Sequence, residues 1–139
     1  MGQLGQWSQM MHTSTHAATG QHLLLDLYGC DAALLSSLEQ LTLLIKNAAH
    51  RANATIINSH FHHFGHQLGV TGVLLLKESH MSIHTWPEHG YAAIDIFMCG
   101  DAEVDQAKTY LLAAFKPDQH TSQKINRGLY SNVFPPVPA

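Results

Sequence analysis

Three short apolar runs constrain this chain more than any other feature. They are "HLLLDLYG" (His22–Gly29), "VTGVLLLKES" (Val70–Ser79) and "YAAIDIFMCG" (Tyr91–Gly100). Each is about one strand long, and each ends at a glycine or a polar pair. Two other stretches repeat at helical spacing. Leu34, Leu38, Leu41, Ile45 and Ala48 follow Asp31, a good N-cap, and predict a helix to about Ala49. Val104, Ala107, Tyr110, Leu111 and Ala114 predict a second helix, capped by Asp101 or Asp105 and stopped at Lys116-Pro117. "NATIINSHFHHF" alternates as a strand does, "GHQLG" reads as a turn, "HTWPEHGY" as a bend, and "HTSQKINRGLY" as a last strand. The order β-α-β-β-β-α-β predicts an α+β two-layer sandwich. In it, an antiparallel sheet carries two helices on one face.

The 139 residues fit one domain. Residues 1–20 are polar and aperiodic, an N-terminal arm; residues 21–131 hold the domain; residues 132–139 are a Pro-rich tail. Only 12% of residues are charged, about half the usual ~25%. Polar neutral side chains must cover the surface, or another subunit must cover part of it. Net charge is −3 and the seven Lys and Arg are scattered, which excludes a nucleic-acid surface or a polybasic membrane patch. No run approaches the ~18 apolar residues of a membrane span. The start lacks a secretory pattern, and Gln6 stands where a myristoylation signal wants Ser or Thr. The expectation is a cytoplasmic protein with Cys30 and Cys99 as free thiols.

Leu74–Gly100 is the densest chemical stretch, holding Glu78, Ser79, His80, His84, Glu88, His89, Asp95 and Cys99. Three chemistries compete there on residue type alone. The first is a metal: alternation puts His60 and His62 on one strand face, near His63 and His66, yet no HExxH or CxxC is present. Surface histidines standing in for absent charges explain them equally. The second is a Cys-His pair, Cys99 with His84, should the two end neighbouring strands; a small buried hydrophobe is the commoner fate of a free Cys. The third is Ser79 as a nucleophile, although it lacks a GxSxG elbow and a Ser there also suits a turn.

"ESHMSIHTWPEHGYAAIDIFMCG" resembles the core motif of the bacterial and archaeal S-adenosylmethionine decarboxylases, pyruvoyl enzymes of polyamine synthesis. "GQHLLLDLYGCD", "FHHF", "GVTG" and "NRGLY" extend the resemblance over roughly residues 20–131. It implies self-cleavage at Glu78-Ser79. Ser79 becomes a pyruvoyl group, whose carbonyl takes the substrate amine as a Schiff base and acts as the electron sink; neither pyridoxal phosphate nor a metal is needed. His84 is implied as the processing acid/base, and its unperturbed pKa of ~6.5 suits both roles. Cys99 is implied as the proton donor that returns a proton to the substrate carbon. Thr71 stands where the family has a Ser that supports processing; the hydroxyl is kept while the added methyl stiffens χ1. Phe64 and His84 would flank the adenine, and Glu88 would accept the ribose hydroxyls. Trp86 reads as packing.

Two departures stand out: Met98 replaces the Thr that usually precedes the catalytic Cys, and "GHQLG" lacks the family's Pro. The substrate expected is S-adenosylmethionine. Ornithine or arginine is the alternative, but their cationic ends need an acid, and only Glu88 and Asp26 stand out. A further alternative is an unprocessed, inactive homologue that serves as a binding module. The family is typically a homodimer of processed protomers, which agrees with the low charge content.

Overall fold

Strict alternation decides which side of the sheet is dry. In the first strand, β1 (Gly20–Tyr28), Leu23, Leu25 and Leu27 are buried, while His22, Leu24 and Asp26 point the other way. The computed structural model describes residues 19–128, so most of the arm, the Pro-rich tail and the end of the expected last strand lie outside the described residues. After β1 come α1 (Ala32–Leu35), α2 (Leu38–Arg51), β2 (Ile56–His63), β3 (Val70–Leu76), β4 (Ser79–Trp86), β5 (Tyr91–Cys99), α3 (Val104–Phe115) and β6 (Gln119–Arg127). A 3₁₀ turn at Pro87–His89 links β4 to β5.

The sheet is antiparallel with strand order β2-β3-β4-β5-β1-β6. α2 packs on β2 and β3, α3 packs on β1 and β5, and the two helices touch, so both lie on one face. Leu41, Ile45, Ala48, Val104, Ala107, Leu111 and Phe115 meet Leu74, Ile83, Ile94 and Ile96 there, all buried. Fully burying each Leu or Ile contributes about 1.5–3 kcal/mol. The expected α+β two-layer sandwich is the observed fold.

Three details differ from expectation. The sheet has six strands, one more than expected, because the run "VTGVLLLKES" is followed by a further strand before the bend. The chain turns at Lys77 and Glu78, and "SHMSIHTW" returns as β4 with Met81, Ile83 and Thr85 buried. The first helix is two pieces. Ser36 donates back to the Ala32 and Ala33 carbonyls and ends α1, while Ser37 accepts from Gln40 N and starts α2. α3 begins after Glu103, whose side chain makes no cap. Asp105 instead pairs with Lys124 at 2.9 Å.

The other face of the sheet carries no helix. It presents His60, Thr71, Val73, Leu75, His80, Ser82, His84, Trp86, Asp95, Phe97 and Ile125. Val73, Leu75, Trp86 and Ile125 are among its exposed apolar residues. Six strands of about eight residues, at ~4.8 Å between strands and ~3.3 Å per residue, give this face roughly 750 Å². Among the described residues no helix is long and apolar enough to cross a membrane.

Candidate active site

The expected site residues gather in two clusters, at opposite ends of the strands. The first forms where β4 begins and β5 ends. Antiparallel pairing aligns Ser79 with Met98, which brings the next residue, Cys99, alongside. Ser79 Oγ lies 3.4 Å from Cys99 Sγ. The Cys99 backbone N–H donates to the Glu78 carbonyl at 3.2 Å. Glu78 is held from its other side as well: its carboxylate accepts from Thr55 N at 2.9 Å, and Lys77 N donates to the Thr55 carbonyl at 2.8 Å. The Glu78-Ser79 peptide is therefore fixed, with a hydroxyl beside it and a donor already on its carbonyl oxygen. A cavity of about 340 Å³ opens next to Cys99, lined in part by Gly20, Met98 and Gly100. Met98 reaches it from the dry side of the sheet, where it is buried.

The second cluster forms where β3 begins and β4 ends. Thr71 pairs with His84 across the strands, and Thr71 Oγ1 meets His84 Nδ1 at 3.1 Å. That contact occupies Nδ1 and leaves Nε2 as the free ring nitrogen. Phe64, Leu68, Thr71, His84, Trp86 and Glu88 line a cavity of about 300 Å³. Thr85, the one buried polar side chain among the described residues, holds this end together. Its hydroxyl donates to the Leu35 carbonyl at 2.7 Å and accepts from Val70 N at 2.9 Å, which ties β3 and α1 to β4. Gly69 must be glycine here, because a Cβ would overlap the Thr85 carbonyl oxygen.

Five residues separate Ser79 from His84 on one extended strand, so the two stand roughly 16 Å apart. His84 aligns with Ala93, six residues before Cys99. The Cys-His pair considered from spacing therefore does not form within one chain, because antiparallel pairing sends the two residues to opposite ends. His60 and His62 share the exposed side of β2 as expected, and among the described residues no three His, Cys, Asp or Glu side chains converge as metal ligands would.

Residue type did not reveal an aromatic stack on the open face. Tyr28 stacks on Tyr91 at 5.3 Å, Tyr91 on Trp86 at 5.0 Å, and Trp86 leans on His84 at 6.3 Å. The Tyr91 hydroxyl donates to Asp26 at 2.6 Å, which with partial burial pushes the phenol up to about 12. Asp26 is thereby committed to Tyr91. Trp86, expected as packing, both packs and lines the cavity. Cys30 is buried, lines neither cavity and donates its N–H to the Gly90 carbonyl at 2.9 Å; burial together with the nearby Asp118 pushes its thiol up to about 11.

A family model described as S-adenosylmethionine decarboxylase matches residues 21–128. The chain belongs to this family. It is 43% identical over 116 residues to the S-adenosylmethionine decarboxylase proenzyme of Thermosipho africanus, covering 82% of this chain and 88% of that one. It is 45% identical over 111 residues to the proenzyme of a Sulfurihydrogenibium species, covering 79% and 83%. The crystal structure of the adenosylmethionine decarboxylase from Aquifex aeolicus superposes with a TM-score of 0.74 at 42% identity, over 79% of this chain and 91% of that one. The fold described above is therefore also the fold of that family member.

Proposed function

We propose that this chain is a proenzyme that cleaves itself between Glu78 and Ser79 and then, as a homodimer, decarboxylates S-adenosylmethionine to supply aminopropyl groups for polyamine synthesis. The observation that carries the reading is the fixed Glu78-Ser79 peptide. Its hydroxyl lies 3.4 Å from the Cys99 thiol and its carbonyl accepts the Cys99 amide.

Self-cleavage follows from that geometry. Ser79 Oγ attacks the Glu78 carbonyl carbon, and the Cys99 amide stabilises the charge that grows on the oxygen. Collapse of the tetrahedral centre breaks the C–N bond and leaves Glu78 esterified to the Ser79 side chain. Loss of the Ser79 α-proton then expels the Glu78 carboxylate and leaves dehydroalanine at position 79. Water hydrolyses its imine tautomer, ammonia leaves, and a pyruvoyl group caps the new chain start. Ser79 at the head of β4 touches Cys99, which lines the 340 Å³ cavity, so such a group would form next to open space. Once formed, its carbonyl supplies the electron sink for the pair left by the departing carboxylate.

The proton transfers of processing need a base, and His84 of the same chain is roughly 16 Å away. A second copy solves this. A two-fold axis lying between two open sheet faces, perpendicular to the strands, sets the Ser79 end of one copy against the His84 end of the other. The open face of roughly 750 Å² matches the ~800 Å² per partner of a standard interface. The second copy would thus bring its His84, with Nδ1 held by Thr71, and its Phe64 and His84 would flank the adenine. Its Glu88 would accept the ribose hydroxyls and favour the sulfonium cation. Cys99, from the Ser79 end, holds the proton returned to the substrate carbon. Asp26 is committed to Tyr91, and Glu88 stands beside Phe64 and His84, where an aromatic nucleoside fits better than an aliphatic ammonium or guanidinium, which favours S-adenosylmethionine over ornithine or arginine. The chemistry needs reduced thiols, which suits the cytoplasm.

A denaturing intact-mass spectrum tests the reading. Two species are expected, one ending at Glu78 and one beginning at position 79 with a ketone in place of the amine. Ser79→Ala should stay full length and inactive. Normal turnover by Ser79→Ala would end the pyruvoyl reading.

A further inference from the structure

Arg127 stands out among the cations of this chain. Of the seven Lys and Arg, Lys46 and Arg51 lie on α2, Lys108 on α3, Lys116 at its end and Lys77 in a turn. Lys124 faces the helix side of β6, where it pairs with Asp105. Arg127 alone reaches the open face, with its guanidinium carbon 4.7 Å from the centre of the Phe97 ring.

The register explains how it gets there. Gly20 pairs with Cys99 on one side and with Arg127 on the other, so Cys99, Gly20 and Arg127 form one row across β5, β1 and β6. The middle position is bare. A Cβ on Gly20 would lie 2.7 Å from Phe97 Cε1 and 2.9 Å from the Cys99 sulfur. The missing side chain lets Phe97 and the Cys99 sulfur lean over Gly20, and Arg127, one strand further along the same row, lies on the Phe97 ring. A guanidinium stacked on a ring uses its flat face; its N–H donors project from the edge and stay free for a planar, two-pronged acceptor. No acid takes them among the described residues, and residues 1–18 and 129–139 contain no Asp or Glu. The neighbouring Asp95 is engaged by His22 at 2.9 Å and by Ser82 at 3.5 Å.

We propose that Arg127, laid across Gly20 onto Phe97, is the residue that binds the α-carboxylate of the substrate beside Cys99. The inference rests on Ser79 being the reacting centre, since a carboxylate on the carbon next to the reacting amine must then lie within reach of this row. Its kinetic consequence is specific. Negative charge leaves the carboxylate as the bond breaks, so Arg127 holds the ground state more firmly than the transition state. Arg127 therefore sets affinity and selects for an amino acid over an amine, and it adds nothing to the chemical step.

The test compares wild type with Arg127→Met, each first checked by intact mass for cleavage. KM is measured for S-adenosylmethionine. Kd is measured by calorimetry for its decarboxylated counterpart, which lacks the carboxylate. Loss of one charged two-pronged contact should raise KM roughly 10- to 100-fold. kcat should be unchanged or higher, and Kd for the amine should stay within about twofold. If Arg127→Met does not cleave, Arg127→Lys takes its place with the same expectation in weaker form. Equal weakening of both ligands, no change in KM, or failure of both variants to cleave would overturn the proposal. A wild-type chain that stays whole would instead strike at the pyruvoyl reading itself.

Discussion

Coexpression of Ser79→Ala and His84→Ala chains tests the two-ended site most directly. Each chain alone lacks one half of every site, so each alone should remain uncleaved. In a mixed dimer the two sites are unequal. One joins the two substituted positions, 79 of one chain and 84 of the other, and is dead. The other joins the intact Ser79 of the His84→Ala chain to the intact His84 of the Ser79→Ala chain. Random pairing of equal amounts makes about half of the dimers mixed, each with one competent site, so about a quarter of all chains should be cut, all of them His84→Ala chains. Decarboxylase activity should recover to about a quarter of wild type. The assay is intact mass on dimers purified through different tags on the two chains, which proves that mixed dimers formed. In that fraction about half of the chains should be cut. Mixed dimers with no cleavage would refute the argument, because Ser79 and His84 would then have to act within one chain despite the roughly 16 Å of strand between them. Normal cleavage of His84→Ala by itself would refute it from the other side.

Two further outcomes are expected. Thr71→Val removes the hydroxyl that holds His84 Nδ1 and should slow processing about 5- to 13-fold, since a lost orienting hydrogen bond costs ~1–1.5 kcal/mol; Thr71→Ser should process at least as fast as wild type, as followed by cleavage time courses. Iodoacetamide at pH 8 should alkylate Cys99 long before Cys30. Raising the Cys30 thiol from 9.0 to about 11 cuts its thiolate fraction roughly 100-fold, and burial blocks the reagent besides. Peptide mapping that finds both modified at equal rates would contradict the placement of Cys30.

The sheet was legible wherever one face is dry. "YAAIDIFMCG" buries Ala92, Ile94, Ile96 and Met98 and leaves the others half-covered, the alternation its letters suggest. β4 was harder to see. Its outward residues are His80, Ser82, His84 and Trp86, and the turn before it, Lys77 and Glu78, contains no Gly, Pro or Asn, so the run of β3 reads as continuing through Ser79 and the residues from there to the bend carry no strand signal of their own. The connection is held instead by long-range partners, Thr55 and Cys99, which no local pattern displays. The break between α1 and α2 had a local signal in Ser36-Ser37, but the continuous apolar stripe across it outweighed that signal.

For the site, spacing misled in an instructive way. Glu78, Ser79 and His84 are near one another in sequence, and five residues on a helix would span about 7.5 Å. On a strand the same five residues span roughly 16 Å. Nearness in sequence here therefore means separation in space. Cys99, twenty residues from Ser79, is its true neighbour because the hairpin folds back. Thr71 and His84, thirteen apart, meet for the same reason. Family resemblance supplied the identity of these residues, but only register divides them between the two ends of the sheet, which the proposed function reads as a cutting end and a nucleoside end. That division turns the uncovered sheet face from an exposure problem into a requirement. On the proposed reading, with Ser79 as nucleophile and His84 as base at opposite ends of one sheet, one chain completes neither site alone, and two copies laid on each other the opposite way round complete both.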